Sequence, residues 1–290
     1  MSRSLLAPGV EVVAVPDGGL AVRTADGEFL RVAAGEAEQG ELLSRLAGGP
    51  VERADAEVDR LVAAFEQAGY AEECGRAGRA VWPAGRRDVL LLGAPVLTKS
   101  LAGYLEAAGA APRCGRPGDW ETGEPAAVVW CLDGPVPEGL WDAADRLPER
   151  GIAWSRCHLE GWQAYVEPLA AEAGDVTSAQ VRARRLAATP AHRELAAYWR
   201  GPRTTGSPVR LAEPSAGLLA ALLADDLTRW ATGAGDEGGL PARRGLRRVD
   251  LRTLTVTAHP VLPVPGVAAM PEVRTRRPGA QGAATTGRSR

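Results

Sequence analysis

A short run of consecutive apolar residues, Val89 to Leu92, restricts the fold of this chain more than any other feature. A strand that is apolar at every position is typical of a parallel sheet, because helices cover both of its faces. Residues 126–131 repeat the pattern, and residues 152–155 give a third strand. Predicted helices at 96–108 and 138–150 separate the three strands. Strands that alternate with helices predict an α/β domain with a parallel sheet and right-handed crossovers.

The chain after these strands continues to alternate between predicted strands and helices. Residues 163–166 predict a fourth strand, and residues 178–199 predict helix with a break at Thr189-Pro190. Residues 216–231 form a strongly apolar segment, which indicates a buried helix. Residues 247–257 alternate like a strand at the edge of a sheet.

The first 70 residues follow a different pattern, three short strands and then two helices. Asp26-Gly27 is a strong hairpin signal, because Gly accepts the positive φ that such turns require. This order predicts a small α+β unit of the winged-helix type. The predicted elements are residues 10–15, 20–24, 28–32, 36–47 and 54–68.

The second of these helices carries an apolar stripe at positions i, i+3, i+4 and i+7, so one face of the helix is buried. A strand beside such a helix makes a groove, and an exposed strand edge can accept a peptide as an additional strand. We therefore predict a peptide-binding groove here; the alternative is that the stripe only fills the core. The candidate peptide-contacting residues are Glu28, Phe29, Leu30, Arg31, Val32, Val58, Leu61, Val62 and Phe65.

Composition restricts the classes of partner. The net charge is −2 and Lys99 is the only lysine, so we expect no nucleic-acid binding, which requires a basic surface. No apolar run reaches the length of a membrane span and no signal peptide is recognisable, so we expect a cytoplasmic protein with no membrane contact. The four cysteines are widely spaced, which argues against a structural zinc site and a disulfide framework. They are Cys74, Cys114, Cys131 and Cys157.

Catalytic and cofactor motifs are missing where this fold would carry them. A nucleotide site would need a glycine-rich turn after the first buried strand, but Gly93-Ala94-Pro95 retains one glycine and Pro95 lacks an amide donor. The adjacent Cys157 and His158 need not face each other, so we do not predict a nucleophile pair. We expect no metal, no cofactor and no self-sufficient active site. The paired carboxylates Asp225-Asp226 and the histidines His192 and His259 are expected to be surface groups or partners of Arg.

These segments together resemble a family of proteins. The resemblance is carried by residues 10–70 and by the stretches DVLLLG, RGIAWSRCHLEGWQAYVEPL and GLLAALLADDLTRW. They are similar to the leader-peptide-binding, ThiF-like partner proteins (the ocyclodehydratase type) that assist azoline formation in ribosomally made peptide natural products. Residues 170–199 resemble the thiopeptide branch most. Glu167 stands where the family usually has Gly.

The resemblance implies a fold, a role and partners. The expected fold is α/β: a winged-helix peptide-recognition domain at residues 1–75, a linker at 76–87, a degenerate Rossmann-like ThiF-type domain at 88–270 and a disordered tail at 271–290. It implies a non-catalytic protein that binds the leader of a precursor peptide and presents the core to a YcaO-type cyclodehydratase. Edge strands and the apolar late helix also allow a homodimer.

Two other functions stay open from the sequence. The first is an ATP-dependent adenylating enzyme of the ThiF type, which the parallel sheet and Lys99 would suit. The second is a winged-helix DNA-binding regulator, although the acidic residues of the long helix oppose contact with phosphates.

Overall fold

The computed structural model describes residues 4–16, 18–49, 55–73, 82–201, 204, 206–207, 209–234 and 240–263. The chain divides into two compact units between Ala80 and Val81. Half of the predicted linker (residues 76–81), all of the predicted tail and Cys74 lie outside the described residues. No helix in the described part of the chain is long and apolar enough to cross a membrane.

The first unit contains five strands and two helices among its described residues. Strands β2, β3 and β4 form an antiparallel sheet in that order, and β1 pairs with β5 in a separate two-stranded sheet. The three predicted strands and both helices are confirmed, and β1 and β5 are additional. The elements are β1 (Ser4–Leu6), β2 (Glu11–Ala14), β3 (Leu20–Arg23), β4 (Phe29–Val32), α1 (Glu36–Leu46), α2 (Ala56–Gln67) and β5 (Ala71–Glu73).

One hydrophobic core joins the sheets and helices of this unit. Leu20 and Val22 on β3 pack with Leu42 and Leu46 of α1 and with Val58 of α2. The hairpin before β4 closes as predicted, because the Glu28 carbonyl accepts a hydrogen bond from the Thr24 amide at 2.9 Å.

Helix α2 begins at a capping carboxylate. The Asp55 side chain accepts hydrogen bonds from the amides of Glu57 at 2.9 Å and Val58 at 3.3 Å. These amides have no partner within the helix, so the cap stabilises the start of α2 and the position of Val58 in the core.

The second unit is built on a seven-stranded mixed sheet in the order β12-β11-β10-β9-β8-β6-β7. Strands β7, β6, β8 and β9 are parallel, whereas β10, β11 and β12 run antiparallel to their neighbours. The strands are β6 (Asp88–Gly93), β7 (Ala111–Cys114), β8 (Ala127–Cys131), β9 (Ala153–Glu160), β10 (Gln163–Val166), β11 (Gly245–Asp250) and β12 (Thr255–Pro260).

Hydrophobic clusters cover both faces of this sheet. Helices α3 and α7 pack on one face, and a cluster of tryptophans packs on the other. Helix α7 therefore uses its apolar residues inside its own unit. The helices are α3 (Pro95–Ala108), α4 (Trp120–Gly123), α5 (Ser178–Ala188), α6 (His192–Arg200) and α7 (Glu213–Thr232), with 3-10 turns at Ala84–Arg86 and Ala144–Arg150.

The α/β fold class is confirmed, but three local predictions were wrong. Residues 247–257 form a hairpin, β11 and β12, because residues 251–254 turn the chain back on itself. The helix predicted at 138–150 is reduced to a 3-10 turn that contains Pro148. The third strand runs on to Glu160, so Cys157 and His158 lie inside it.

Replacement of Asp55 by Ala should lower the free energy of unfolding of the first unit by about 1 kcal/mol, because two amides lose their acceptor. Asp55→Ser retains a capping oxygen and is the matched control. Urea unfolding followed by far-UV circular dichroism measures the change. All eight tryptophans lie at or after Trp82, so tryptophan fluorescence reports on the second unit and should not shift. A change equal in both variants would contradict the capping role.

Candidate peptide-binding site

Among the described residues, strand β4 is an edge of its three-stranded sheet and pairs with β3 alone. In an antiparallel pair, successive residues turn their backbone groups alternately toward and away from the partner. The Glu28 carbonyl bonds to Thr24, so Leu30 and Val32 also turn toward β3. Phe29 and Arg31 consequently turn their backbone groups toward the outer edge, where an added strand would lie.

The side chains of β4 divide between the two faces of the sheet. Leu30 lies opposite the buried Val22, and Val32 lies opposite the buried Leu20, so both belong to the core face. Leu30 is nevertheless 42% exposed, and Val32 is half-buried. The apolar row on the core face therefore continues to the open edge without being fully covered.

The predicted stripe of α2 separates into two pairs. Val58 and Phe65 are buried in the core, at 0% and 5% exposure. Leu61 and Val62 pack against the same core but are half-buried. Only this second pair offers surface to a ligand, so the structure assigns Val58 and Phe65 to packing and leaves Leu61 and Val62 available for contact.

The charges around the site are partly used within the unit. Arg60 forms an ion pair with Glu57 one helical turn earlier, and Arg23 lies 3.9 Å from Glu11 on the neighbouring strand. Glu28 is exposed at the start of β4. Two of the arginines in this part of the unit therefore already have carboxylate neighbours.

In the second unit, the turn between β6 and α3 has little capacity to hold a phosphate. Gly93 has φ +100°, and a Cβ there would lie 1.8 Å from the carbonyl oxygen of Cys131. The Ala94 amide donates to this same carbonyl at 2.8 Å, and Pro95 has no amide hydrogen. The Ala94 carbonyl accepts from both Leu97 and Thr98. Most amides that would cradle a phosphate are thus absent or already bonded.

Cys157 and His158 point to opposite faces of β9. The Cys157 thiol lies in the core beneath α3 and α7, where burial raises its pKa well above the usual value. His158 lies on the other face, between Trp141 and Tyr165. The two side chains cannot meet, because neighbouring residues in a strand point to opposite faces.

The adjacent carboxylates of α7 each have their own arginine partner. Asp225 accepts from Arg229 at 2.9 Å, and Asp226 pairs with Arg247 of β11. Burial raises the pKa of Asp226 in spite of the attraction of Arg247. The ion pair between Asp226 and Arg247 therefore links α7 to the sheet. His192 and His259 are exposed, as predicted. Cys131 is buried but Cys114 is exposed.

A buried charged cluster on β9 and β10 was not predicted from the sequence. The Arg156 guanidinium donates to the Glu167 carboxylate at 2.6 Å and to the Val176 carbonyl at 2.9 Å. Both charged side chains are almost fully buried, at 0% and 3% exposure. Glu167, which stands where the similar family usually has Gly, therefore has a structural partner in Arg156 of β9. The only signal for it was an arginine inside an apolar strand.

Glu160 closes the same cluster at the end of β9. It accepts two hydrogen bonds from Arg185 of α5, at 3.1 and 2.5 Å, and one from the Trp199 indole of α6 at 2.7 Å. Burial alone would raise the pKa of Glu160, but His158 and Arg185 lower it to about 2. The Glu160 carboxylate thereby holds α5 and α6 against the sheet.

Within the described residues, no three potential ligands group as a metal site.

Comparison with known proteins supports the fold. No protein-family model matches the chain, and no curated protein matches its sequence. The heterocyclase TruD matches with a TM-score of 0.60 at 15% identity, over 91% of this chain and 42% of its own. A heterocyclase in complex with substrate and cofactor matches with a TM-score of 0.58 at 13% identity, over 91% and 39%. E. coli MccB with AMPCPP and selenomethionine MccA matches with a TM-score of 0.61 at 9% identity, over 92% and 99%.

This chain spans about two fifths of the length of the heterocyclases that it matches. At identities of 9 to 15%, these similarities show that the chain shares their fold.

Removal of one partner of the Arg156–Glu167 pair should destabilise the second unit strongly. Glu167→Leu leaves an uncompensated buried guanidinium and should lower the free energy of unfolding by about 3–5 kcal/mol. The double variant Arg156→Met with Glu167→Leu removes both charges and should recover most of this loss. Chemical unfolding followed by tryptophan fluorescence measures both. Equal losses in the single and double variants would show that packing, and not the unpaired charge, is the cause.

The stabilising effect of Glu160 should be lost only in acid. A carboxylate whose pKa is lower in the folded state stabilises the fold above its usual value near 4.5, and this contribution falls as the pH drops toward 2. The free energy of unfolding should therefore decrease between pH 4.5 and 2 in the wild type, and less steeply in Glu160→Gln. Parallel pH profiles of the two proteins would contradict the assignment.

Proposed function

We propose that this protein binds the leader of a ribosomally made precursor peptide and presents the core of that peptide to a YcaO-type cyclodehydratase. The product class we propose is a thiazoline- or oxazoline-containing peptide of the thiopeptide kind. The observation that carries the proposal is the open edge of β4, which lies beside incompletely covered apolar side chains of one hydrophobic core.

Two properties of the edge suit an extended peptide. The backbone groups that Phe29 turns toward the outer edge can pair with any peptide strand, which supplies affinity without regard to sequence. Leu30 and Val32 then lie beside the added strand, and Leu61 and Val62 lie at the margin of the same core. Apolar side chains of the leader that cover these residues would supply selectivity.

The chemistry of azoline formation is proposed to reside in the partner. The crowded turn at Gly93 and the divided Cys157 and His158 support a role without catalysis for this chain. A bound leader raises the concentration of the core peptide at the partner's active site, to about the millimolar range for a short flexible tether. A binding protein can accelerate the partner's reaction in this way without supplying a catalytic group.

The choice of partner rests on the fold. The chain shares its fold with the heterocyclase TruD but spans 42% of its length. The shared fold supports a place in the same kind of pathway. The fold is shared equally with MccB crystallised with AMPCPP, so an ATP-dependent adenylating enzyme is the second candidate. The occupied amides of the turn after β6 oppose this candidate.

Leu61→Asp and Val62→Asp should each weaken leader binding by about tenfold or more, because they place a charge where apolar contact is proposed. Ala63→Asp adds the same charge to an exposed position of the same helix and is the matched control. The measurement is fluorescence anisotropy with a labelled peptide for the leader encoded beside the gene, and circular dichroism verifies that each variant is folded.

ATP binding is measured in parallel on the wild-type protein. Leader binding that is lost in Leu61→Asp and kept in Ala63→Asp, without ATP binding, would support the proposal. ATP binding without leader binding would favour the adenylating enzyme. Salt-sensitive binding to DNA would instead favour the regulator.

A further inference from the structure

We infer that a bound peptide strand is recognised on both faces of the sheet, and that Phe29 is a specificity-determining residue on the outer face. The peptide would place an apolar or aromatic side chain beside Phe29, in addition to the apolar side chains that it directs at the core face. This inference rests on the proposed function and goes further. It specifies an apolar or aromatic side chain at the peptide position beside Phe29, whereas binding through the core face alone would allow a polar residue there.

The exposure of Phe29 is the first observation. The chain contains two phenylalanines. Phe65 is buried in the core at 5% exposure, whereas Phe29 is 64% exposed, the largest exposure among the large apolar side chains described. An exposed phenylalanine on a short edge strand favours association with another chain, which edge strands usually avoid through charged residues.

The register of the sheet gives the position of the missing neighbour. On the outer face, Phe29 lies directly opposite Arg23, which lies opposite Glu11. This row runs across the sheet and ends at Phe29 because β4 is the edge. The next member of the row would be a side chain of an added strand, with its Cβ about 5 Å from that of Phe29.

The backbone supports the same position. Phe29 turns its amide and carbonyl toward the open edge, so it would form a hydrogen-bonded pair with one residue of the peptide. That residue places its side chain on the face that Phe29 occupies, because paired residues of adjacent strands share a face. Leu30 and Val32 lie on the opposite face, so the peptide residue beside Leu30 is next to the one beside Phe29, and the residue beside Val32 is three positions from it.

The consequence is a defined pattern in the peptide. Residues on the core face alternate with residues on the outer face, and we expect two apolar residues separated by one position to face Leu30 and Val32. A peptide held only by the core face would be polar at every intervening position. Because Phe29 is exposed on the outer face of the sheet, we expect the peptide residue paired with it to be apolar or aromatic as well.

The test combines variants of the full-length protein with a labelled synthetic leader and its single-alanine variants. Phe29→Ser removes the outer-face ring and Leu30→Ser removes the core-face contact. Val13→Ser is the matched control, because Val13 is 37% exposed on the same outer face but lies on β2, two strands away from β4. Phe29→Tyr keeps the ring. Thermal unfolding verifies that all four variants are folded.

We expect Phe29→Ser to weaken leader binding by about fivefold, as for the loss of a strong cross-strand pair, and Val13→Ser and Phe29→Tyr to bind like the wild type. Double-mutant cycles then couple Phe29→Ser to one leader position, and Leu30→Ser to a position next to it or three residues away. Leader positions an odd number of residues apart lie on opposite faces of a strand, so coupling of the two variants to such positions indicates recognition on both faces.

The other outcomes separate the inference from the function on which it rests. If the wild type binds the leader and Phe29→Ser binds equally well, the inference fails while the leader-binding function stands. If Phe29→Ser and Leu30→Ser couple to the same leader position, recognition on two faces is also refuted. If the wild type does not bind the leader, the proposed function fails and the inference fails with it.

Discussion

The second unit depends on the burial of strand β6 from both sides. Val89 and Leu91 point into the core formed with α3 and α7, whereas Leu90 and Leu92 point into the tryptophan-rich core. All four side chains are at most 1% exposed. Because apolar surface buried from water stabilises a fold in proportion to its area, this strand can hold two layers together only while both faces stay covered. The neighbouring parallel strands arrange around it.

The same close packing limits what this unit can do chemically. Strands β6 and β8 approach so closely at their ends that Gly93 leaves no room for a side chain beside Cys131. The turn that follows gives its amides to the protein itself. On β9 and β10, the charged side chains are engaged with one another, and Glu160 holds α5 and α6. The polar groups of this unit are therefore used mainly for its own stability.

The first unit has the opposite property, because both outer strands of its three-stranded sheet, β2 and β4, are edges among the described residues. Three strands and one small core leave the edge of β4 without a neighbouring strand, and the apolar residues near that edge are only partly covered. Backbone groups at such an edge bind a further strand readily. Val58, Phe65 and their neighbours form the core of this unit, whereas Leu30, Leu61 and Val62 are the partly exposed residues of the proposed leader contact.

The sequence by itself determined the elements whose periodicity is strong. The apolar run at Val89 to Leu92, the hairpin at Asp26-Gly27 and the helix carrying Val58 and Phe65 were all predicted, because local patterning sets which faces can be buried. Short elements such as β1, β5 and β7 were missed, since three or four residues carry too little pattern. The hairpin of β11 and β12 was read as one strand, because the alternation of residues 247–257 runs through the turn at residues 251–254.

Only the tertiary structure decided which apolar residues of a sequence pattern are buried in the core and which remain exposed. The stripe of α2 shows four equivalent apolar residues in the sequence, and packing made Val58 core and left Leu61 half-exposed. The pairing of Arg156 with Glu167, and the exposure of Phe29 at an edge, depend on strand order and register. Those are set by long-range contacts, whereas a sequence pattern reports only on the neighbourhood of each residue.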